Sequence, residues 1–135
     1  METSCTFTVE SFTPTDWAPD ITTALGVGHA HIVKRFEGGL VGRSVAQFSA
    51  AYEQSSGVGT YVAMESFDGT LDGRPGAFNF AHTATTTGGP ERLHALLVVV
   101  PSSGTAELAG ITGTGELSVD EDGTHRITLT YDLPG

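Results

Sequence analysis

At 135 residues the chain fits one domain, taken as residues 1–135, and by surface scaling it can bury roughly two-thirds of the surface its unfolded form exposes. Sixteen acidic against six basic residues give a formal net charge of −10, which repels a phosphate backbone and makes nucleic acid an unexpected partner; the acidity reads as a solvated, self-repelling surface. The lone Cys5 cannot form an intramolecular disulfide, Met1–Glu10 has no basic leader region, and the longest apolar run, Ala95 to Val100, is far short of the ~20 residues that span a bilayer, so the expected location is cytoplasmic, away from membranes.

Period-2 patterning with β-branched and aromatic enrichment predicts strands at residues 4–12, 28–36, 40–52, 59–67, 70–84, 92–100, 106–117 and 124–132. No window sustains the 3.6-residue period of a long helix. Thr13 to Leu25, with Pro14, Asp16 and Pro19, has room for one short turn and is the expected lid or plug. In the middle of the chain, Phe36-Glu37-Gly38-Gly39-Leu40-Val41-Gly42-Arg43 aligns with Phe67-Asp68-Gly69-Thr70-Leu71-Asp72-Gly73-Arg74 at an offset of 31, and Ala106-Glu107-Leu108-Ala109-Gly110 keeps the Leu-x-Gly end of the pattern. Each copy reads as a hairpin in which an acidic residue and Gly turn the chain, Leu re-enters the core and the second Gly bends the returning strand.

Eight sequential antiparallel strands can close on themselves and so remove exposed edges. The expected fold is therefore all-β, a closed antiparallel eight-stranded up-and-down β-barrel, with a two-sheet sandwich as rival. The long segments at 40–52 and 70–84, with glycine corners, favour the barrel. A barrel of this size either fills its interior or holds one small ligand. Ala46, Ala50, Ala63, Gly110 and Gly113 argue against complete filling.

Tyr61, Ala63, Glu65 and Phe67 share one strand face, and a carboxylate between aromatic rings in a lumen is a candidate general acid or base. The plainer alternative is an ion pair with a neighbouring Arg. Phe78, Phe80 and His82 share a face of the next strand, so a Glu65/His82 pair in one cavity is expected, with His82 able to exchange a proton near neutrality. His29 and His31 point the same way at a spacing that can chelate a metal, but no further ligand follows in a metal-site pattern and none is expected. Arg35 is a candidate for fixing a ligand's polar group, while Arg43 and Arg74, inside the repeat, read as partners of Glu37 or Asp68. The glycines form neither a P-loop nor a dinucleotide fingerprint, and Ser102 and Ser103 lack the glycine that precedes a hydrolase nucleophile, so no cofactor is expected.

The order of these motifs, Gly-x-Leu-x-Gly hairpins, Tyr61-Val62-Ala63-Met64-Glu65, Gly69-Thr70-Leu71-Asp72-Gly73-Arg74-Pro75-Gly76-Ala77-Phe78, a strand ending in His82, and Ser103-Gly104-Thr105-Ala106-Glu107-Leu108-Ala109-Gly110, resembles a family of small bacterial proteins, domain-of-unknown-function family 3224. The resemblance spans about Phe7 to Tyr131. It implies a barrel similar to that of allene oxide cyclase and the dirigent proteins, whose lumen binds a hydrophobic molecule and steers its ring closure. No catalytic residue passes across by motif, and function passes only by analogy of fold. Homo-oligomers are common among such barrels, so a homo-oligomer is compatible with the reading.

The leading expectation is a cofactor-independent cyclase or isomerase of a small hydrophobic metabolite. Glu65 and His82 are its expected catalytic residues, and Tyr61, Phe78, Phe80 and Arg35 its substrate-binding residues. The rivals are a lipocalin-like carrier or sensor that releases its ligand unchanged, and a filled barrel that serves only for interaction.

Overall fold

The computed structural model describes all residues from Met1 to Gly135. Its strands are β1 (Glu2–Pro14), β2 (Val27–Gly38), β3 (Leu40–Glu53), β4 (Val58–Leu71), β5 (Arg74–Thr87), β6 (Arg92–Val99), β7 (Thr112–Val119) and β8 (His125–Asp132). Each pairs antiparallel with its neighbour in sequence, and β1 pairs with β8, so the sheet closes into a ring and the sandwich is excluded. The only helical element is a single 3₁₀ turn at Ala106–Leu108, and no helix is long and apolar enough to cross a membrane.

The repeat has a different meaning from the one its sequence suggests. Its first copy does turn, at Gly38–Gly39 between β2 and β3. The second copy does not turn at Asp68-Gly69: β4 runs through to Leu71, and the chain reverses at Asp72-Gly73, whose φ values of 48° and 83° suit the tight turn that matches strand twist. The two copies therefore lie side by side, with Leu40 opposite Leu71, Gly42 opposite Gly69 and Arg43 opposite Asp68. A Cβ on Gly42, at φ 148°, would lie 2.3 Å from the Asp68 carbonyl oxygen, so the paired glycines let the two backbones close up. The third stretch is no hairpin. It forms the 3₁₀ turn, and β7 begins only at Thr112, because Leu108 and Ile111 are fully buried across the end of the ring.

Of Thr13 to Leu25, the expected lid or plug, Thr13 and Pro14 end β1 and the remainder forms no helical turn, its largest side chains, Trp17 and Ile21, being 72% and 74% exposed. Two strands carry an extra residue. Glu10 is the unpaired one between Val9 and Ser11 of β1, and His94, at φ 54°, is its counterpart in β6 opposite Thr83–Thr85.

Side chains alternate between lumen and exterior, and the lumen divides into two halves by residue size. Toward the Gly38–Gly39 and Asp72–Gly73 turns it is packed, with Phe36, Phe67, Leu71, Phe78, Phe80, Leu97 and Leu129 in one cluster that Leu108 and Ile111 close off. Rings step through it from Phe7 to Phe36 (5.5 Å), Phe67 (5.6 Å) and Phe78 (5.4 Å). Each buried ring contributes about 1.5–3 kcal/mol of transfer free energy. The residual void there is about 10 Å³, no more than a single water needs. Asp72 ties this end together, accepting hydrogen bonds from Thr3 Oγ1 of β1 (2.7 Å) and Tyr131 Oη of β8 (2.5 Å).

Candidate functional site

The opposite half of the lumen is a cavity of about 620 Å³. It is open because the inward positions there carry small side chains. Going up from the packed end, β2 presents Phe36, Lys34, Ile32, Ala30 and Gly28, and β4 presents Phe67, Glu65, Ala63, Tyr61 and Gly59. Phe7, Ile32 and Ala63 line it lower down, Phe48, Ala50 and Tyr61 form one wall, and Pro14, Gly26 and Gln54 also border it. Its volume is that of a small-molecule site.

At the seam between the two halves lies a buried ion pair. The Lys34 ammonium donates to Glu65 Oε1, and the other carboxylate oxygen accepts from Ser44 Oγ at 2.8 Å. Glu65 is 0% exposed and Lys34 8%. Lys34 also lies 4.7 Å over the ring of Phe7, and it lines the cavity, whereas Glu65 does not. Burial of this carboxylate is thus matched by a cation and a hydroxyl, the arrangement that lets an interior charge persist.

A second polar group stands in the cavity wall. His82 is the β5 neighbour of Ala63, and its Nε2 is 2.9 Å from Tyr61 Oη, with the two rings edge to face at 5.0 Å. Phe48 stacks on the other side of Tyr61 at 5.5 Å. Burial, then the nearby Lys34 and Arg92 charges, push His82 down to about 4, so its imidazole is neutral at neutral pH. Burial likewise pushes Tyr61 up, opposed by Arg92 and reinforced by Glu65, and the phenol stays protonated. Which partner donates follows the imidazole tautomer. With hydrogen on Nε2, His82 donates to Tyr61 and leaves the phenolic hydrogen free for a bound molecule.

Arg92 and His125 add further charge and hydrogen-bonding capacity to the lining, as do the hydroxyls of Thr60 and Thr86. The Arg92 guanidinium stands 5.8 Å over the Tyr61 ring, and its Nε is buried without a hydrogen-bond partner. His125 packs 5.3 Å from Phe7, and burial with Arg92 and Lys34 lowers its pKa as well.

The structure brings together only part of the set expected from sequence. Tyr61 and His82 both line the cavity and touch. Glu65 faces inward as expected, but its partner is Lys34, not an Arg or His82, and it does not reach the cavity surface. Phe78 and Phe80 also face inward yet lie in the packed half and do not line the cavity. Arg35 is on the outer face, its Nε 2.6 Å from Glu10 Oε1. Arg43 and Arg74 form no ion pair, contrary to the expected pairing with Glu37 or Asp68. His29 lines the cavity beside Pro14 and Gly28, with Nδ1 2.9 Å from Thr15 Oγ1. His31, 5.4 Å away ring to ring, is exposed, and no third side chain joins the pair in a metal-binding group.

Lys34, Arg92, His125 and Phe48 belong to the site without having been singled out in the sequence. Lys34 is legible in retrospect, since it alternates in phase with Ala30, Ile32 and Phe36. Arg92, first residue of its strand behind Gly88-Gly89-Pro90, has no pattern to reveal it.

Comparison with known proteins agrees with this architecture. A family model described as "Protein of unknown function (DUF3224)" matches residues 3–131. The crystal structure of a protein with unknown function from the DUF3224 family of Shewanella oneidensis MR-1 superposes with a TM-score of 0.85, covering 100% of this chain and 98% of that one at 29% identity. No curated protein matches the chain.

Proposed function

We propose that this chain, which belongs to the DUF3224 family, holds a small hydrophobic metabolite in the open half of its ring and promotes its isomerisation or cyclisation without a cofactor. The observation that carries the reading is the 620 Å³ cavity itself, walled by Phe7, Phe48, Tyr61 and Ile32 and closed below by the ion pair and the packed core. We further assign the ring to the allene oxide cyclase-like barrels. Eight sequential antiparallel strands around a half-empty lumen support that assignment.

In this mechanism the cavity folds the substrate into a reactive shape, which lowers the entropic part of the barrier. Tyr61 is the electrophilic group: its hydroxyl, freed when His82 carries hydrogen on Nε2, donates to a carbonyl, hydroxyl or epoxide oxygen as charge develops there. His82 is the positioning residue: its Nε2–H sets the hydroxyl's direction and, as the Tyr61 proton moves toward the substrate oxygen, goes on donating to the phenolate oxygen that develops. Glu65 takes no direct part. It fixes Lys34 at the cavity's lower end.

One observation favours a carrier instead. No carboxylate lines the cavity, and a histidine at about 4 is a weak base, so proton abstraction from carbon has no strong agent here.

Native mass spectrometry of the protein with a mixed library of hydrophobic metabolites separates the two readings. The expected result is a released isomer of unchanged mass and altered chromatographic retention, absent without protein and reduced at least tenfold in Tyr61→Phe. A ligand retained and released unchanged establishes the carrier, and the absence of any bound mass refutes both.

A further inference from the structure

The cavity's charge is opposite to that of the protein. The chain as a whole carries −10, yet none of its Asp or Glu residues lines the cavity, while two of its six basic residues, Lys34 and Arg92, do, together with His29, His82 and His125. Lys34 is already neutralised by Glu65. Arg92 is not. The ion pairs of the structure are Lys34–Glu65, Arg35–Glu10 and Arg126–Asp120, so Arg92 has no carboxylate within 4 Å in a protein rich in them. Its Nε is buried with no acceptor from the protein, whereas buried polar groups of native structures are nearly always paired.

From these observations we infer that the ligand is an amphipathic organic anion, an apolar body carrying a carboxylate whose oxygens are received by the Arg92 guanidinium beside Tyr61. This deepens the proposed function and rests on its ligand cavity. The planar fork of arginine fits a carboxylate with two parallel N–H···O bonds, and the Arg92 guanidinium lies over the Tyr61 ring at 5.8 Å without donating a hydrogen bond to any protein group. The remaining wall, Phe48, Ala50, Ile32, Ala63 and Phe7, suits an apolar body. The same two charges act on the neighbouring histidines: burial first, then the charges of Lys34 and Arg92, lower the pKa of both His82 and His125. The acidic exterior adds selectivity, since an anion gains nothing by adsorbing there and is stabilised only inside.

The test uses the full chain with N-phenyl-1-naphthylamine, a neutral reporter that brightens in apolar surroundings, and two competitors of equal chain length, decanoate and 1-decanol. Both are expected to displace the reporter at pH 7.5, decanoate at least tenfold more tightly. In Arg92→Met, which keeps an apolar stem, decanoate is expected to fall to the affinity of 1-decanol, while 1-decanol and the reporter are unchanged. If Arg92→Met does not fold, the wild-type preference still decides, joined by histidine NMR: bound decanoate, but not 1-decanol, is expected to raise the pKa of His82. Equal displacement by both competitors overturns the anion inference and leaves the cavity reading standing. No reporter binding overturns the two together.

Discussion

Replacing Glu65 by Leu removes the one carboxylate buried in the lumen and leaves the Lys34 ammonium, 8% exposed, without its counter-ion. Breaking a buried pair from one side costs about 3–5 kcal/mol, because the remaining charge is stranded. Two features of the structure adjust that range. Lys34 lines a cavity that water can enter and lies over the face of Phe7, which together favour the lower end, while Ser44 Oγ loses its acceptor, which adds about 1 kcal/mol. The expected destabilisation is about 3–4 kcal/mol. With an unfolding entropy of about 2.1 cal/mol/K per residue, a chain of this length changes by about 0.28 kcal/mol/K, so Tm falls by roughly 11–14 °C.

The double variant Lys34→Met/Glu65→Leu removes both charges and refills the space with apolar groups. Its Tm is expected within about 4 °C of the wild type, since apolar replacement of a buried pair is often neutral or stabilising. Thermal unfolding followed by circular dichroism at pH 7.5 measures all three proteins. A loss under 4 °C for Glu65→Leu, or a double variant as unstable as the single one, refutes the reasoning.

Three further outcomes are expected. His82 has its pKa lowered to about 4 from an ordinary 6.5, so the unfolded chain binds the extra proton first: the contribution is complete above pH 6.5 and is lost as pH falls towards 4. Urea titrations at pH 7.5 and 4.5 should therefore show wild type losing about 2–3 kcal/mol relative to His82→Gln, and equal losses would contradict it. Cys5 is 2% exposed and burial pushes its thiol up to about 11, so at pH 8 N-ethylmaleimide should label it only as fast as the ring opens; rapid labelling of the native protein would show that β1 is not closed against β8. Tyr131→Phe deletes the 2.5 Å hydrogen bond to Asp72 and is expected to cost about 1 kcal/mol, or about 4 °C in Tm, with an unchanged melt as the contrary result.

Alternation along the chain carries which face a residue takes, and this much of the site was legible. Tyr61, Glu65, His82, Phe78 and Phe80 all face inward as their phase requires. Depth is not written in a period of two. Whether an inward residue lies in the packed half or the open half depends on what the seven other strands place at the same level, so Phe78 and Phe80 could not be told from true cavity residues. Arg35 shows how sharp the face signal is, for the cation that matters on β2 is its neighbour Lys34, one position and one face away. Lysines are rarely buried unless paired, and the pairing of Lys34 with Glu65 is across strands, where a period of two carries no signal. The misplaced hairpin has a similar origin. Asp68-Gly69 and Asp72-Gly73 carry the same turn chemistry four residues apart, and only the pairing of β4 with β3 through Leu71 decides between them.

The same gradient of side-chain size that hides depth also separates stability from binding. Aromatic and branched residues fill the end where Leu108 and Ile111 seal the ring, and Gly28, Ala30, Ala50, Gly59 and Ala63 leave the other end empty at the expense of burial. Glu65 and Lys34 lie where the two regimes meet. If stability alone governed that layer, an apolar pair would serve as well and strand no charge, which is what the double variant measures. A stable Lys34→Met/Glu65→Leu protein would therefore mean that the ion pair is explained by the cavity above it, where it places an ammonium at the lower end while its matching carboxylate stays out of a ligand's reach. Arg92 alone then carries the unmatched charge of the site, and the anion affinity of the double variant should stay close to that of the wild type while that of Arg92→Met falls.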